Sequence, residues 1–313
     1  MKYLFFDIEC SNCFNGVGKM CEFGYVLCDE NLNAIKKDDI PMSPGKGEGN
    51  RFHLKGRKNE KDLELAYEYD YYFAQPEFST FYKQIKRLME DPDTICFAFS
   101  MDNDIPHLYH ACTRYKLEPM NYICYDVQKF AGRYLEKKGQ MSLKSACLEI
   151  VGPHSLVRLQ EHLSRDDAMM EKMIFDAICL LQQIKPTELL EQSNFAETNS
   201  LEYMRRVKEH AKRKREKTAG HDLYRKYIID DDELDKEEYV GIRYNVSAAV
   251  KSHVEELKKA IEVIKSKDGI FSNRLDKTDH LVVLDDKNKE EIAKVTNGRF
   301  SGKFILLKDL LSE

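Results

Sequence analysis

Two carboxylates close the first apolar run of the chain, Lys2-Tyr-Leu-Phe-Phe-Asp-Ile-Glu-Cys10: these are Asp7 and Glu9. A run that apolar reads as a buried strand, whose side chains alternate between faces. Asp7 and Glu9 therefore share one face, with Phe6 and Ile8 on the other. Like charges at the end of a buried strand are unfavourable unless a cation sits between them. The pair alone leaves two readings, solvated acids at a strand end or half of a divalent-metal site. Further acids decide. Asp104, with Asp102 as its neighbour, opens a helix after a strand over 94–99, where a carboxylate is favoured. His162 precedes Asp167 by five residues and Asp166 by four. On one helix, five residues would turn His162 away from Asp167. The two can meet if His162 lies in a loop and Asp167 in the first helical turn. Ser164 and Asp167 also have capping-box spacing, which would make Asp167 a cap.

The elements that must carry these residues follow from periodicity. After Glu9 a glycine-bearing loop (Gly16, Gly18) leads to strands over 22–27 and 34–40. Residues 41–62 lack any period and read as a long surface loop. Phe78, Phe81, Tyr82, Ile85 and Leu88 give a first helix, then come the strand 94–99 and a helix with Ile105, Leu108, Tyr109 and Cys112. A strand over 121–126, helices over 127–137 and 142–150, and a long helix over 166–185 complete the region. Antiparallel strands first, then strands alternating with helices, imply an α/β fold with a mixed sheet covered by helices. Residues 200–217 read as a basic helix, with eight basic residues against two acidic ones in 203–217. An acidic stretch over 230–238 follows. From 239 a β-α-β-β-α-β order suggests a second compact module, with Gly269 as a helix C-cap. The domains expected are 1–185, an extension and linker over 186–238, and 239–313.

Composition narrows the class. The chain has 313 residues, 33% charged and 42% hydrophobic, with a net charge of −5. No apolar run can span a bilayer and no signal peptide is evident, so the expectation is a soluble cytoplasmic protein. Nine cysteines without framework spacing read as reduced thiols. Cys10 and Cys13 form a Cys-x-x-Cys with no second pair at zinc-finger spacing.

Phe5-Phe-Asp-Ile-Glu9, Glu22-Phe-Gly24, Asn103-Asp-Ile105 with Leu108, Tyr125-Asp-Val127 and His162 to Ala168 together resemble the DEDDh exonucleases over residues 1–185. The resemblance implies an RNase H-like fold and 3′→5′ removal of single nucleotides from DNA or RNA. It implies Asp7, Glu9, Asp104 and Asp167 as metal ligands and His162 as general base. The sister subgroup would carry a tyrosine four residues before Asp167, where Leu163 stands. Ser164, Ser100, Asp102 and the long 41–75 segment depart from the family pattern without removing a ligand. Hard oxygen donors suit two Mg²⁺ or Mn²⁺ ions. A neutral imidazole suits proton abstraction from water. Cys10 and Ser11 are candidate neighbours of a bound nucleotide. Arg213, Lys214 and Arg215 are candidate phosphate contacts.

Residues 239–313 resemble a BRCT domain through Gly269, Lys277-Thr-Asp-His-Leu-Val-Val283 and the helix 287–295. That likeness implies binding of a DNA end or a protein partner. Ala248 replaces the glycine expected after Ser247, and the chain contains no Trp. The leading expectation is a metal-dependent exonuclease on single-stranded DNA 3′ ends, in replication or repair, with RNA as the close variant. A non-catalytic scaffold for nucleic-acid ends is the alternative from another class.

Overall fold

The computed structural model describes residues 1–14, 17–45, 65–229, 241–297 and 300–312. The expectations for Gly16, most of the 41–62 loop and the acidic stretch 230–238 lie outside the described residues. Two compact units divide at Arg206/Val207, inside the expected extension 186–238.

In the first unit, β1 (Lys2–Phe14), β2 (Val17–Cys28) and β3 (Ala34–Pro41) form an antiparallel meander. Then come α1 (Tyr69–Phe73), α2 (Phe78–Met89), β4 (Thr94–Ala98), α3 (Met101–Arg114), β5 (Ile123–Asp126), α4 (Val127–Tyr134) and α5 (Leu143–Ile150). The unit ends with α6 (Ser164–Gln182), α7 (Pro186–Glu191), β6 (Glu197–Asn199) and the first turns of α8 (Ser200–Arg225). The sheet order is β3-β2-β1-β4-β5-β6, with β4 and β5 parallel to β1 and β6 antiparallel to β5. This is the mixed sheet flanked by helices that the strand pattern predicts.

Both faces of β1 are buried, which explains its unbroken apolar run. Tyr3 and Phe5 pack with α4, α5 and α6, while Leu4, Phe6 and Ile8 pack with α2 and α3. Phe97 of β4 stacks on Phe5 at 4.6 Å and meets Phe175 of α6 at 4.7 Å. A fully buried aromatic side chain contributes about 2–3 kcal/mol, so this stack fixes α6 against the centre of the sheet.

Three features differ from the sequence expectation. The loop expected after Glu9 is strand, because β1 and β2 continue as one long hairpin with register shifts at Glu9/Cys10 and Ser11/Phe14. Residues beyond 185 add α7 and β6 to the first unit: Leu189 and Leu190 join its core and β6 pairs with β5. The helix over 200–217 runs on to Arg225.

The second unit comprises the rest of α8, β7 (Arg243–Val246), α9 (Ala248–Lys251), α10 (Val254–Ser266), β8 (Ile270–Phe271), β9 (His280–Val283), α11 (Asp286–Thr296), β10 (Lys303–Leu306) and α12 (Leu307–Ser312). Its four strands are all parallel, in the order β10-β9-β7-β8. The expected alternation is present, and α9 and α12 are additions to it. Gly269 is not the left-handed residue that ends α10; Asp268 takes that conformation, with φ 53°. Gly269 is needed for space instead, since a Cβ there would lie 2.6 Å from Ile264 Cγ2 and 2.8 Å from Tyr244 Cδ2.

Candidate active site

The strand β1 delivers Asp7 and Glu9, as their spacing predicts. Their partners across the hairpin are Gly24 and Glu22. Gly24 is where the N-terminus of α6 crosses β2. A Cβ there would lie 2.0 Å from the Arg165 nitrogen and 2.1 Å from the Ser164 carbonyl carbon. Only glycine lets α6 come this close, and that approach brings Asp167 to the strand tip. Glu22 fastens the crossing. It is fully buried, and its Oε1 accepts the Ser164 N–H at 2.7 Å while its Oε2 accepts the Tyr72 hydroxyl at 2.6 Å.

The loop before α6 bends back on itself at His162, whose φ is +61°. A left-handed conformation is unusual for a residue with a Cβ and needs support. The His162 N–H supplies it by donating to Asp167 Oδ2 at 3.1 Å. Asp167 therefore does not cap its own helix; the N-cap is Leu163, with no side-chain cap. His162 Nδ1 lies 3.4 Å from Glu9 Oε1. Ligand atoms of Glu9, His162 and Asp167 fall within 4.8 Å of one another, a group able to hold a metal ion.

The turn from β4 into α3 carries Asp104 and bends in the same way. Ser100 has φ +63°. Its N–H donates to Asp126 Oδ1 at 3.1 Å, and the preceding Phe99 N–H donates to Glu171 Oε1 at 3.0 Å. Asp104 is buried in the first turn of α3, whereas Asp102 beside it is exposed.

Electrostatics bind these residues into one cluster. Burial pushes Asp7 well above the carboxylate range, reinforced by Asp104, Glu9, Asp167 and Glu22. Asp104 is raised by burial, then by Glu9 and Asp126. Asp167 is pushed up to about 7 by burial and by Glu9, against the opposing pull of His162. Among the described residues, neither Lys nor Arg pairs with Asp7, Glu9, Asp104 or Asp167; the one ion-pair contact is His162 with Glu9. Among the described residues, the buried Asp7 Oδ2 has no hydrogen-bond partner. An anionic pocket with oxygen donors and an orphaned carboxylate oxygen fits a hard divalent cation.

Two acids of the cluster escape the sequence reading of the site. Glu171 is fully buried, raised by burial and then by Asp7, Asp104 and Asp167, and among the described residues its Oε2 has no hydrogen-bond partner. Its signal was an acid one turn after Asp167 on an apolar helix face. Glu22 is pushed up to about 8 by burial and then by Asp39, with the Tyr72 hydroxyl bond acting against the shift. Its signal was an acid opposite Glu9 in a hairpin register. Of the candidate nucleotide neighbours, Ser11 is buried and its hydroxyl donates to the Lys19 carbonyl at 3.2 Å. Cys10 is partly exposed and packs near Gly18. Arg213, Lys214 and Arg215 are exposed on α8 in the second unit. Seven other cysteines, Cys21, Cys28, Cys96, Cys112, Cys124, Cys147 and Cys179, are buried free thiols. No helix among the described residues is long and apolar enough to cross a membrane.

No protein-family description matches the chain. No curated protein matches it. Several solved structures are similar to it. One is a 3′-exonuclease described in 3′-end specific recognition of a histone mRNA stem-loop, at 15% identity and TM-score 0.44 over 58% of this chain and 64% of that one. A second is the nuclease domain of 3′hExo, described as a DEDDh family member bound to rAMP, at 15% identity and TM-score 0.44 over 58% of this chain and 92% of that one. A third is E. coli exonuclease I in complex with single-stranded DNA in a zinc-bound form, at 13% identity and TM-score 0.45 over 61% of this chain and 43% of that one.

Proposed function

We propose that the first unit is a metal-dependent 3′→5′ exonuclease that releases nucleoside monophosphates from single-stranded DNA ends. The observation that carries the reading is the meeting of Glu9, His162 and Asp167 within 4.8 Å, with the orphaned Asp7 oxygen buried in the same cluster. Asp7, Glu9, Asp104 and Asp167 would hold two Mg²⁺ or Mn²⁺ ions. When bound, such ions supply Lewis acidity to the attacking water and the leaving 3′ oxygen. The chain's own part is orientation and proton transfer. The imidazole of His162 accepts the proton of the water as its oxygen attacks the terminal phosphorus. The P–O bond to the penultimate 3′ oxygen breaks, and the departing oxygen takes a proton from solvent. The His162 side chain is 45% exposed, so it can return its proton to bulk water before the next turnover. Glu22, Glu171 and Asp126 touch no reacting atom in this scheme; they hold the two left-handed turns that aim Asp104, His162 and Asp167.

The second unit supports a BRCT-like reading, through its parallel order β8-β7-β9-β10 and the helix that follows β10. Its role would be docking to a protein or a nucleic-acid end.

Matched DNA and RNA oligonucleotides, labelled at the 5′ end and incubated in EDTA, Mg²⁺ or Mn²⁺, test the enzyme. The expected result is a metal-dependent ladder shortening from the 3′ end, with release of nucleoside 5′-monophosphates. A faster ladder on RNA would transfer the reading to an exoribonuclease. Intact oligonucleotides under all conditions would overturn it.

A further inference from the structure

The second unit contains a cleft that the nuclease reading leaves unused. It measures about 780 Å³ and lies between α8 and the corner where α9 gives way to α10. Along α8 it is lined by His210, Arg213, Lys214, Glu216 and Lys217, and at the corner by Ser252 and His253. The two walls can meet because Gly220 faces α9. A Cβ there would sit 1.6 Å from the Lys251 carbonyl oxygen.

Charge in this cleft is one-sided. Residues 210, 213, 214 and 217 recur at three- and four-residue spacing, so they share one helix face. Arg213, Lys214 and Lys217 are exposed, and among the described residues none of the three forms an ion pair. The acid on that wall, Glu216, is directed to Lys212 at 3.9 Å. Opposite, the His253 ring is held in place by the Ala249 carbonyl at 2.9 Å. The positive field extends beyond the cleft: burial first, then Lys251 and Lys217, hold the nearby His221 below its ordinary value. Arg213, Lys214 and Lys217 thus converge on one concave wall.

We infer that this cleft binds the phosphodiester backbone of a single nucleic-acid strand, with Arg213, Lys214 and Lys217 contacting phosphates and the opposite wall setting the width of the channel. Nucleic acid, among polyanions, rests on the nuclease reading of the first unit. The contact is electrostatic and independent of sequence. It also divides the basic run. Arg215 and Lys212 do not line the cleft and stay outside the site.

Binding is measured on the full chain in EDTA, where no turnover occurs, by the anisotropy of a fluorescein-labelled oligothymidylate across a salt titration. Replacing Arg213, Lys214 and Lys217 together by Gln removes three phosphate contacts. The salt slope should fall by about 2 and affinity by about 100-fold near 0.1 M salt. Lys212→Gln with Arg215→Gln, on the same helix outside the cleft, should change affinity by less than about fivefold. Ser252→Glu leaves α8 untouched, sets an anion on the opposite wall, and should weaken binding about tenfold. Equal losses in the triple and control variants, or an unchanged triple variant with its helical circular dichroism intact, would overturn the site. Salt-dependent binding by a chain that digests nothing in Mg²⁺ would overturn the nuclease reading and leave the cleft standing.

Discussion

The first unit buries its unbalanced charge, and the second exposes it. Around the tip of β1, Asp104 and Glu171 are almost wholly out of water and one carboxylate oxygen of Asp7 is buried, and no Lys or Arg among the described residues pairs with them. Along α8, Arg213, Lys214 and Lys217 stand in solvent, and among the described residues they form no ion pair either. The cost of the two arrangements differs sharply. A buried anion without a partner is destabilising by several kcal/mol unless it takes a proton or a cation, whereas an exposed cation is hydrated at little cost. The buried cluster thus fits a small, hard ion, whose charge would offset the mutual repulsion of its acids. The exposed row suits a polyanion held through counterion release, weakly per contact and sensitive to salt. One region is built for geometry, the other for capture.

The comparison breaks most visibly at Asp7. Asp7→Asn removes one anion from the crowded cluster and one oxygen donor. Turnover on a 3′-labelled oligonucleotide should fall by at least about a thousandfold. The metal-free protein should nevertheless melt about 2–4 °C higher, because a repulsive buried charge is gone, and added Mg²⁺ should no longer raise its melting temperature. Wild-type turnover, or a lower metal-free melting temperature, would show that the cluster is neither catalytic nor strained.

Next in size is His162. His162→Gln should lower kcat about a hundredfold, while the rise in melting temperature on adding Mg²⁺ stays close to wild type. If that rise disappears as well, the imidazole acts as a ligand beside Glu9 and Asp167 rather than as the base.

The sequence carried most of this architecture, and where it fell short the reasons are physical. The apolar run to Phe6 and the alternation to Glu9 were readable because period-2 patterning is local. So was Asp104 after a strand, and His162 ahead of a helical Asp167. What could not be read was tertiary. Gly24 looks like any strand glycine until α6 is seen to cross it. Glu22 and Glu171 look like surface acids until the sheet closes over them. The hairpin beyond Glu9 reads as a loop in the sequence because its glycines outweigh the pairing of Cys10 with Met20 and Ser11 with Lys19, which exists only once the chain has turned back on itself. In the second unit Gly269 announced a helix end, yet the left-handed turn fell on Asp268, because the glycine was needed for the packing of Tyr244 and Ile264.

A gentler probe of the contrast is pH. The folded carboxyls of Asp7, Asp104 and Glu171 are raised, Asp167 to about 7 and Glu22 to about 8, while unfolded carboxyls titrate near 4. Between those values the folded chain binds more protons than the unfolded one, so stability falls as pH rises. In EDTA the melting temperature should drop by about 5 °C between about pH 5 and pH 8, and saturating Mg²⁺ should flatten the slope. A metal-free melting temperature that rises over this range would mean the acids are compensated from within the protein.

The smallest effect belongs to the parallel sheet of the second unit, where only a neutral hydrogen bond is at stake. The Tyr224 hydroxyl is buried and donates toward the carbonyls of Ser272 at 3.1 Å and Tyr244 at 3.3 Å. The Lys251 ammonium lies 4.1 Å from the centre of its ring. Tyr224→Phe keeps the ring under the ammonium and removes only the hydroxyl, leaving carbonyls short of a donor. Stability of this unit should fall by about 1–1.5 kcal/mol, read as an earlier denaturant midpoint with an unchanged slope. Turnover of a 3′-labelled oligonucleotide should stay within about twofold of wild type, because a neutral hydrogen bond in this sheet bears on neither the buried acids nor the exposed cations. A tenfold loss of turnover from this one hydroxyl would mean that the division of labour between the two units is drawn in the wrong place.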